Sequence, residues 1–183
     1  MFKKIFIAFV VIVAVFCVVA AMQPSEFRVE RSVSISAPPA PIFSQVVDFH
    51  NWVAWSPWEK LDPAMKRTYN GAPAGAGASY SWAGNSQVGV GTSTIVDVRP
   101  NEFIKIKLDF IKPFQATDFA EFIFKPDGNQ TVVTWSMTGT KNFMFKAFGL
   151  IMNCDKMVGD QFEQGLAQLK SVVESSPKAI SAP

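Results

Sequence analysis

The chain opens with an unbroken apolar run, residues 5–22, which follows a short basic stretch and ends just before a proline. As an α-helix this run is about 27 Å long, close to the hydrocarbon thickness of a bilayer, about 30 Å. It exceeds the roughly 7–15 apolar residues typical of a signal peptide. We therefore predict an N-terminal transmembrane anchor, residues 1–24, which enters the membrane through residues 5–22.

The charges beside this run predict where the rest of the chain lies. Lys3 and Lys4 precede the run, and basic residues stay on the cytoplasmic side of a membrane. The pattern predicts a single-pass membrane protein with a cytoplasmic N-terminus and a domain on the periplasmic or extracellular side. The alternative is cleavage at Val19-Ala20-Ala21, a passable signal-peptidase site, which would give a secreted protein.

Beyond the anchor the pattern changes to short alternating segments. Phe27–Ile35 alternates apolar and polar residues, which predicts a half-buried strand. Prolines end it, and two short helices follow, one over Ile42–Val47 and one that stops near Pro57. Six further strands, separated by turn-forming residues, are predicted over Met65–Tyr69, Ala78–Trp82, Val88–Val98, Glu102–Phe110, Gln115–Phe124 and Thr131–Thr138.

The last predicted element is one long helix over Asn142–Val173. Apolar residues recur there at helical spacing, namely Phe148, Ile151, Val158, Phe162, Leu166, Leu169 and Val173. Gly159 and Gly165 lie near this stripe and would let the helix approach a sheet closely. We expect the tail, residues 175–183, to be disordered.

This order of elements predicts an α+β domain, residues 25–174, in which a curved antiparallel sheet of about seven strands wraps around a long C-terminal helix. From Phe27 to Lys170 the chain resembles the START-like or SRPBCC superfamily, in the branch named polyketide cyclase/dehydrase and lipid transport. The matching stretches are FRVERSVSISAPPAPIFSQVVDFHNWVAWSPWEKLDP, LDFIKPF and DKMVGDQFEQGLAQLK. The resemblance implies the helix-grip fold. That superfamily is functionally diverse and has no universal catalytic residue, so the resemblance implies no catalytic residue here.

Charge and residue inventory exclude several classes of partner. The net charge of +2 comes from Lys3 and Lys4, and no basic run follows them, so we expect no nucleic-acid partner. Cys17 lies in the apolar run and Cys154 is alone in the domain, so the domain can form no internal disulfide. With His50 the only histidine and no phosphate-binding glycine loop, we expect no metal and no cofactor.

Large rings on the predicted inner faces suggest a cavity between the sheet and the C-terminal helix that holds a lipid-like or aromatic small molecule. The alternative for the rings, and for Trp52, Trp55 and Trp58 in particular, is that they close the core. Asp155 falls on the apolar helix stripe, where a carboxylate needs an ion-pair partner or a cavity beside it. The candidate ligand-binding residues are Trp55, Trp82, Phe110, Phe119, Trp135, Met137, Phe148, Met152 and Asp155.

Two other functions remain open at this point. One is a partner-binding domain whose cavity is filled by side chains. The other is a cyclase- or dehydratase-like enzyme in which Asp155, Glu121 or His50 moves protons. The sequence carries no nucleophile elbow and no histidine–glutamate metal motif. We therefore assign no catalytic residue and favour a binding function over an enzyme.

Two predicted loops carry apolar side chains outside the core. These are Ile111–Phe114, at a hairpin turn, and Asn142–Phe148, at the start of the last helix. Apolar side chains on loops often mark a binding surface or a membrane contact. Our hypothesis is that the two segments flank the mouth of the cavity and insert between lipid headgroups.

Overall fold

The computed structural model describes residues 2–175, except for the side chain of Cys154, so the predicted disordered tail from residue 176 onward lies outside the described residues. The first half contains α1 (Phe2–Met22), β1 (Glu26–Ile35), α2 (Pro39–Val47), a 3-10 helix (Phe49–Ala54) and α3 (Pro57–Leu61). Six strands follow: β2 (Lys66–Gly71), β3 (Ala78–Ala83), β4 (Val90–Arg99), β5 (Phe103–Lys112), β6 (Ala116–Asp127) and β7 (Gln130–Thr140). The chain then forms α4 (Phe143–Gly149) and α5 (Cys154–Ser175).

The seven strands form one antiparallel sheet in the order β1-β7-β6-β5-β4-β3-β2. Each neighbouring pair from β2 to β7 is a hairpin, and β1 joins the free edge of β7, where Val33 lies opposite Val133. The long helix α5 crosses the inner face of this curved sheet and contacts β1 and β7. The predicted α+β helix-grip fold, with an apolar helix before it, is confirmed.

The long C-terminal helix begins later than the sequence predicted. The chain forms two helices instead of one continuous helix from Asn142, because each helix has its own N-terminal cap. The Asn142 side chain accepts a hydrogen bond from the Phe145 amide at 3.0 Å, and the Asn153 side chain accepts one from the Lys156 amide at 2.9 Å. The break changes the helical phase, so Ile151, predicted on the core stripe, is 78% exposed.

The core is a cluster of aromatic rings beneath α5. Phe162 stacks face to face on Trp135 of β7, with ring centroids 4.2 Å apart and an angle of 8° between the rings. On the other side of Trp135 lie Trp55, with its centroid 5.7 Å away, and Phe122, 4.8 Å away. Such ring pairs add about 0.5–1.5 kcal/mol each beyond the area they bury. This cluster fixes the middle of α5 against the sheet.

Gly165 allows the helix to come this close. A Cβ atom at this position would lie 2.9 Å from Cζ3 of Trp135 and 3.0 Å from Cδ of Pro57 at the start of α3. Both neighbours are rigid rings, so a larger side chain would push α5 off the sheet. Gly159, one and a half turns earlier, faces the guanidinium group of Arg31 in the same way. The prediction that these two glycines allow close approach agrees with both contacts.

Candidate binding cleft

An apolar cleft of about 550 Å³ opens at the end of the sheet where β1 begins and β7 ends. The sheet supplies one wall, through Phe27, Val29, Phe110 and Met137. The other wall comes from Phe145 of α4, from Met157 and Val158 of α5, and from the β5–β6 turn at Pro113 and Phe114. The volume falls within the range of about 300–1,000 Å³ that is usual for small-molecule sites.

The cleft exists because the helix layer and the sheet separate at this end. The helix layer is broken between Gly149 and Cys154, so no continuous helix covers the first residues of β6 and the last residues of β7. The sheet also carries small residues here, since Ala116 of β6 lines the cleft and Gly139 of β7 leaves room for the Asp118 carboxyl. The space therefore follows from backbone geometry together with small residues.

The rim of the cleft is held by an ion-pair cluster centred on Arg31 of β1. The Arg31 Nε atom lies 2.8 Å from Oε1 of Glu163, and its Nη2 atom lies 3.2 Å from Oδ2 of Asp155. The guanidinium group lies over Gly159, between these two carboxylates of α5. Arg31 thus attaches the first turns of α5 to β1. Asp155 lines the cleft, and its ion pair with Arg31 balances its charge.

Asp118 of β6 is a buried ionisable group on the sheet wall of the cleft. Its residue is only 6% exposed, and burial raises the pKa of its carboxyl to about 6, since the charged form loses water. Among residues 2–175 the carboxyl makes no hydrogen bond and no ion pair with another side chain. It lies over Gly139, where a Cβ atom would collide with it. A buried carboxyl in a cleft is a recognised indicator of a functional site.

Sequence reasoning missed Asp118 because both faces of β6 carry apolar residues. Phe119 and Ile123 suggested one inner face, with Glu121 on it. The buried positions are instead Asp118, Ala120, Phe122 and Phe124. The alternating apolar residues at 120, 122 and 124 could have indicated the inner face of β6. Phe119 and Ile123, however, indicate the opposite face equally well.

The structure divides the predicted ligand-binding residues into three groups. Phe110, Met137 and Asp155 line the cleft together. Trp55 and Trp135 lie in the aromatic core, and Trp82 lies behind the wall, with its ring centroid 5.9 Å from that of Phe110.

The remaining predicted residues lie outside the cleft. Phe148 and Met152 are exposed near the α4–α5 junction, because the break in the helix turns them away from the sheet. Phe119 is on the outer face of the sheet, where the Lys105 ammonium lies 5.1 Å from its ring centroid.

The three residues considered for proton transfer do not converge on one site. Glu121 is on the outer face of the sheet, 3.0 Å from Nζ of Lys105. His50 stacks on Tyr69, with ring centroids 4.0 Å apart, and contacts Asp48. Asp155 is at the cleft rim in its ion pair with Arg31. Within the described part of the chain, no group of three or more His, Cys, Asp or Glu side chains is placed to hold a metal ion.

The two apolar segments meet across the mouth of the cleft. Phe114 of the β5–β6 turn packs edge to face on Phe145 of α4, with ring centroids 5.3 Å apart. Phe114, Phe143 and Met144 remain exposed around this contact. Helix α1 packs against α4, and Ala20 of α1 is fully buried. The apolar mouth is therefore continuous with the apolar N-terminal helix.

The comparisons with known proteins agree with this architecture. A protein-family model described as polyketide cyclase / dehydrase and lipid transport matches residues 26–174. Among the curated proteins, no match is found.

Solved structures share the fold at low sequence identity. Protein MLL2253 from Mesorhizobium loti aligns with a TM-score of 0.60 and 16% identity, over 82% of this chain and 99% of that one. Protein CV1439 from Chromobacterium violaceum aligns with a TM-score of 0.58 and 16% identity, over 84% and 100%. CalU16 from Micromonospora echinospora aligns with a TM-score of 0.54 and 14% identity, over 86% and 88%. At these identities the likeness shows the fold alone.

The buried carboxyl of Asp118 predicts a pH-dependent stability. Because its folded-state pKa is raised above the unfolded value, the folded state binds more protons between about pH 4 and pH 6, and its stability falls as pH rises through that window. Asp118→Asn removes this loss, so we expect the free energy of unfolding of the variant at pH 8 to exceed that of the wild type by about 3 kcal/mol. Urea denaturation followed by tryptophan fluorescence measures the difference.

The difference between Asp118→Asn and wild type should shrink towards zero at pH 4, where both side chains are uncharged. Asp127→Asn, at the exposed end of the same strand, is the matched control and should show no such window. If the free energies of unfolding of Asp118→Asn and wild type differed equally at pH 4 and pH 8, Asp118 would not be a buried, destabilising carboxylate.

Proposed function

The chain belongs to the polyketide cyclase / dehydrase and lipid transport family, and we propose that it is a membrane-tethered protein that binds a lipid-like or aromatic small molecule in its cleft. The observation that carries the proposal is the apolar cleft of about 550 Å³ at the open end of the sheet. Family membership suggests a hydrophobic ligand. The cleft supplies the place for one.

The composition of the cleft favours a hydrophobic occupant. Its walls consist mainly of rings, thioethers and branched aliphatic side chains, and burial of a ligand's apolar surface against them yields about 25 cal/mol per Å². A ligand that buries about 300 Å² of apolar surface thus gains roughly 7 kcal/mol before the cost of immobilisation. This balance supports micromolar or weaker binding from burial alone, with polar contacts adding specificity.

The N-terminal helix supports the tethering part of the proposal. α1 has 21 residues, is apolar throughout its central part and exposes almost all of its side chains. By length and composition it is able to cross a membrane, a test that a signal sequence also passes. In our proposal it stays attached, with Lys3 and Lys4 on the cytoplasmic side and the domain on the periplasmic or extracellular side.

The short linker between α1 and β1 keeps the cleft close to the membrane. Only residues 23–25 separate α1 from β1, which allows about 10 Å of extended chain. The linker is also attached to the sheet, since the Lys141 amide donates a hydrogen bond to the Ser25 carbonyl at 2.6 Å. With α1 in a bilayer, the mouth formed by Phe114, Phe143 and Phe145 faces the headgroups. A ligand could then pass between bilayer and cleft without crossing water.

The alternative of a partner-binding domain with a filled cavity receives less support. Its premise was that the large rings fill the space between sheet and helix. Trp55 and Trp135 do so in the middle of the sheet, but the end of the sheet near Gly139 stays open. The enzyme alternative also receives less support, because of Asp155, Glu121 and His50 only Asp155 lines the cleft, and it is paired with Arg31.

Filling the cleft tests the binding proposal. We expect Ala116→Trp, whose indole would occupy the cleft beside Phe110 on the neighbouring strand, to weaken binding of the fluorescent probe N-phenyl-1-naphthylamine at least tenfold. Titration of a domain lacking residues 1–23, checked for folding by circular dichroism, measures the effect. Ala64→Trp places the same side chain in an exposed turn before β2 and should leave binding unchanged. Unaltered probe binding in Ala116→Trp with its fold intact would refute the proposed site.

Charging the apolar mouth tests the membrane contact. We expect the double variant Phe114→Asp, Phe143→Asp to reduce liposome binding by the domain lacking residues 1–23 by about tenfold, because each exposed ring would be replaced by a charge that resists entry into the headgroup region. Co-sedimentation with vesicles measures it. The control variant Val53→Asp, Val96→Asp carries the same charges at two exposed positions away from the mouth. Equal vesicle binding by both double variants would disprove the mouth as the membrane contact.

A further inference from the structure

Asp118 is the one feature of the cleft that hydrophobic binding alone leaves unexplained. The residue is 94% buried, on the sheet wall, in a cleft otherwise lined mainly by apolar side chains. Leaving a buried polar group without a partner costs about 1–3 kcal/mol, and more for a charged one. A leucine or valine at this position would remove that cost. A carboxyl kept there at a cost to stability is suited to a hydrogen-bond donor that enters the cleft from outside the folded chain.

The cations nearest to the cleft do not supply that partner. Arg28 lines the cleft, but its guanidinium group is paired with Glu30 on the same strand. Lys141 also lines the cleft, and its ammonium lies 6.0 Å from the ring centroid of Phe27. Arg31, from the same strand as Arg28, is held between Asp155 and Glu163. Among the described residues, each cation at this end has another contact, and no ion pair reaches Asp118.

The surroundings of Asp118 leave the carboxyl open towards the cleft. On β7 its cross-strand neighbour is Gly139, which has no side chain to cover it. On β5 its neighbour is Leu108, which has no hydrogen-bonding group. Phe27 of β1 lies on the far side of Gly139, so the carboxyl is bordered by a ring, an aliphatic chain and bare backbone. The group that completes its hydrogen bonds must therefore enter through the cleft.

We propose that Asp118 binds the hydrogen-bond-donating headgroup of an amphiphilic ligand, an ammonium or a hydroxyl, and that the cleft thereby selects amines and alcohols over carboxylic acids. The inference rests on the proposed function, since it assigns the ligand class of the same cleft. An ammonium group gives the carboxylate both hydrogen bonds and an opposite charge, which offsets the cost of burying it. A carboxylic acid brings a second anion to the same apolar space and is repelled.

Competition among three chain-matched amphiphiles tests this selection. The full-length chain in nanodiscs is loaded with equal amounts of dodecylamine, dodecanol and dodecanoic acid at pH 7.5, and the retained molecules are counted by native mass spectrometry. Every variant is measured in the same bilayer. The partitioning of each amphiphile into lipid therefore cancels when the ratios of retained amphiphiles are compared between two variants. We expect the wild type to retain the amine most, the alcohol next and the acid least, with at least about a tenfold span, the usual effect of a charged hydrogen bond.

Two variants separate charge from hydrogen bonding. Asp118→Asn keeps a hydrogen-bond acceptor and loses the charge, so we expect the amine preference over the alcohol to fall about tenfold while the alcohol is still retained. Asp118→Leu removes both, so the alcohol should lose its advantage over the acid as well. Glu121→Gln, on the outer face of the same strand, changes a charge of the same sign and should leave all three ratios as in the wild type.

The possible outcomes distinguish a failure of the binding function from a failure of the role of Asp118. If the wild type retains none of the three amphiphiles, the proposed binding function is overturned, and the assignment of Asp118 with it. If it retains all three equally, or favours the acid, the cleft binds amphiphiles but the role of Asp118 is wrong. That role is also wrong if the wild type shows the preference and Asp118→Asn and Asp118→Leu both keep it.

Discussion

The close packing of α5 against the sheet determines the rest of the molecule. At Gly165 the helix backbone comes within van der Waals distance of Trp135 and Pro57, and one turn earlier Phe162 stacks on the same indole. At the N-terminal end of α5, Arg31 of β1 pairs with two carboxylates of the helix and attaches its first turns to the sheet. Before Cys154 the helix layer is interrupted, so no continuous helix covers the end of β7. The cleft is the space that this interruption leaves.

The same geometry brings the cleft and the apolar N-terminus together. β1 begins and β7 ends at the open end of the sheet, so the segments attached to them, α1 and α4, lie there as well. Any protein of this fold with a short linker before β1 would carry its anchor beside the open end. Here the residues around that end are exposed rings and a methionine instead of polar loop residues. The fold places the anchor close to the cleft, and the apolar residues at this end make its surface suitable for contact with lipid.

Most of the fold could be predicted from the sequence, because the alternation of apolar and polar residues and the turn-forming residues are local signals. Every strand predicted between Phe27 and Thr138 is present, with ends that differ by a few residues. The helix break was not predicted, since Asn153 acts as a cap only through its conformation and Phe148 and Ile151 fit a continuous stripe. Site residues were harder to predict for a related reason. Trp135 and Met137 lie two residues apart on one inner face, and only the path of α5 decides that the first is core and the second faces the cleft. Asp118 was missed because Phe119 beside it gave an equally good apolar pattern for the opposite face.

The proposed function depends on a hydrophobic ligand occupying the open end of the sheet. Photo-crosslinking locates a bound amphiphile directly: the full-length chain in nanodiscs is illuminated with a diazirine-bearing fatty alcohol, and the labelled residues are mapped by peptide mass spectrometry. We predict labels at Met137 and Phe110 on the sheet wall of the cleft and at Met157 on the opposite wall. Labels confined to α1 and the outer surface of the sheet, with none on these three residues, would contradict occupation of the cleft.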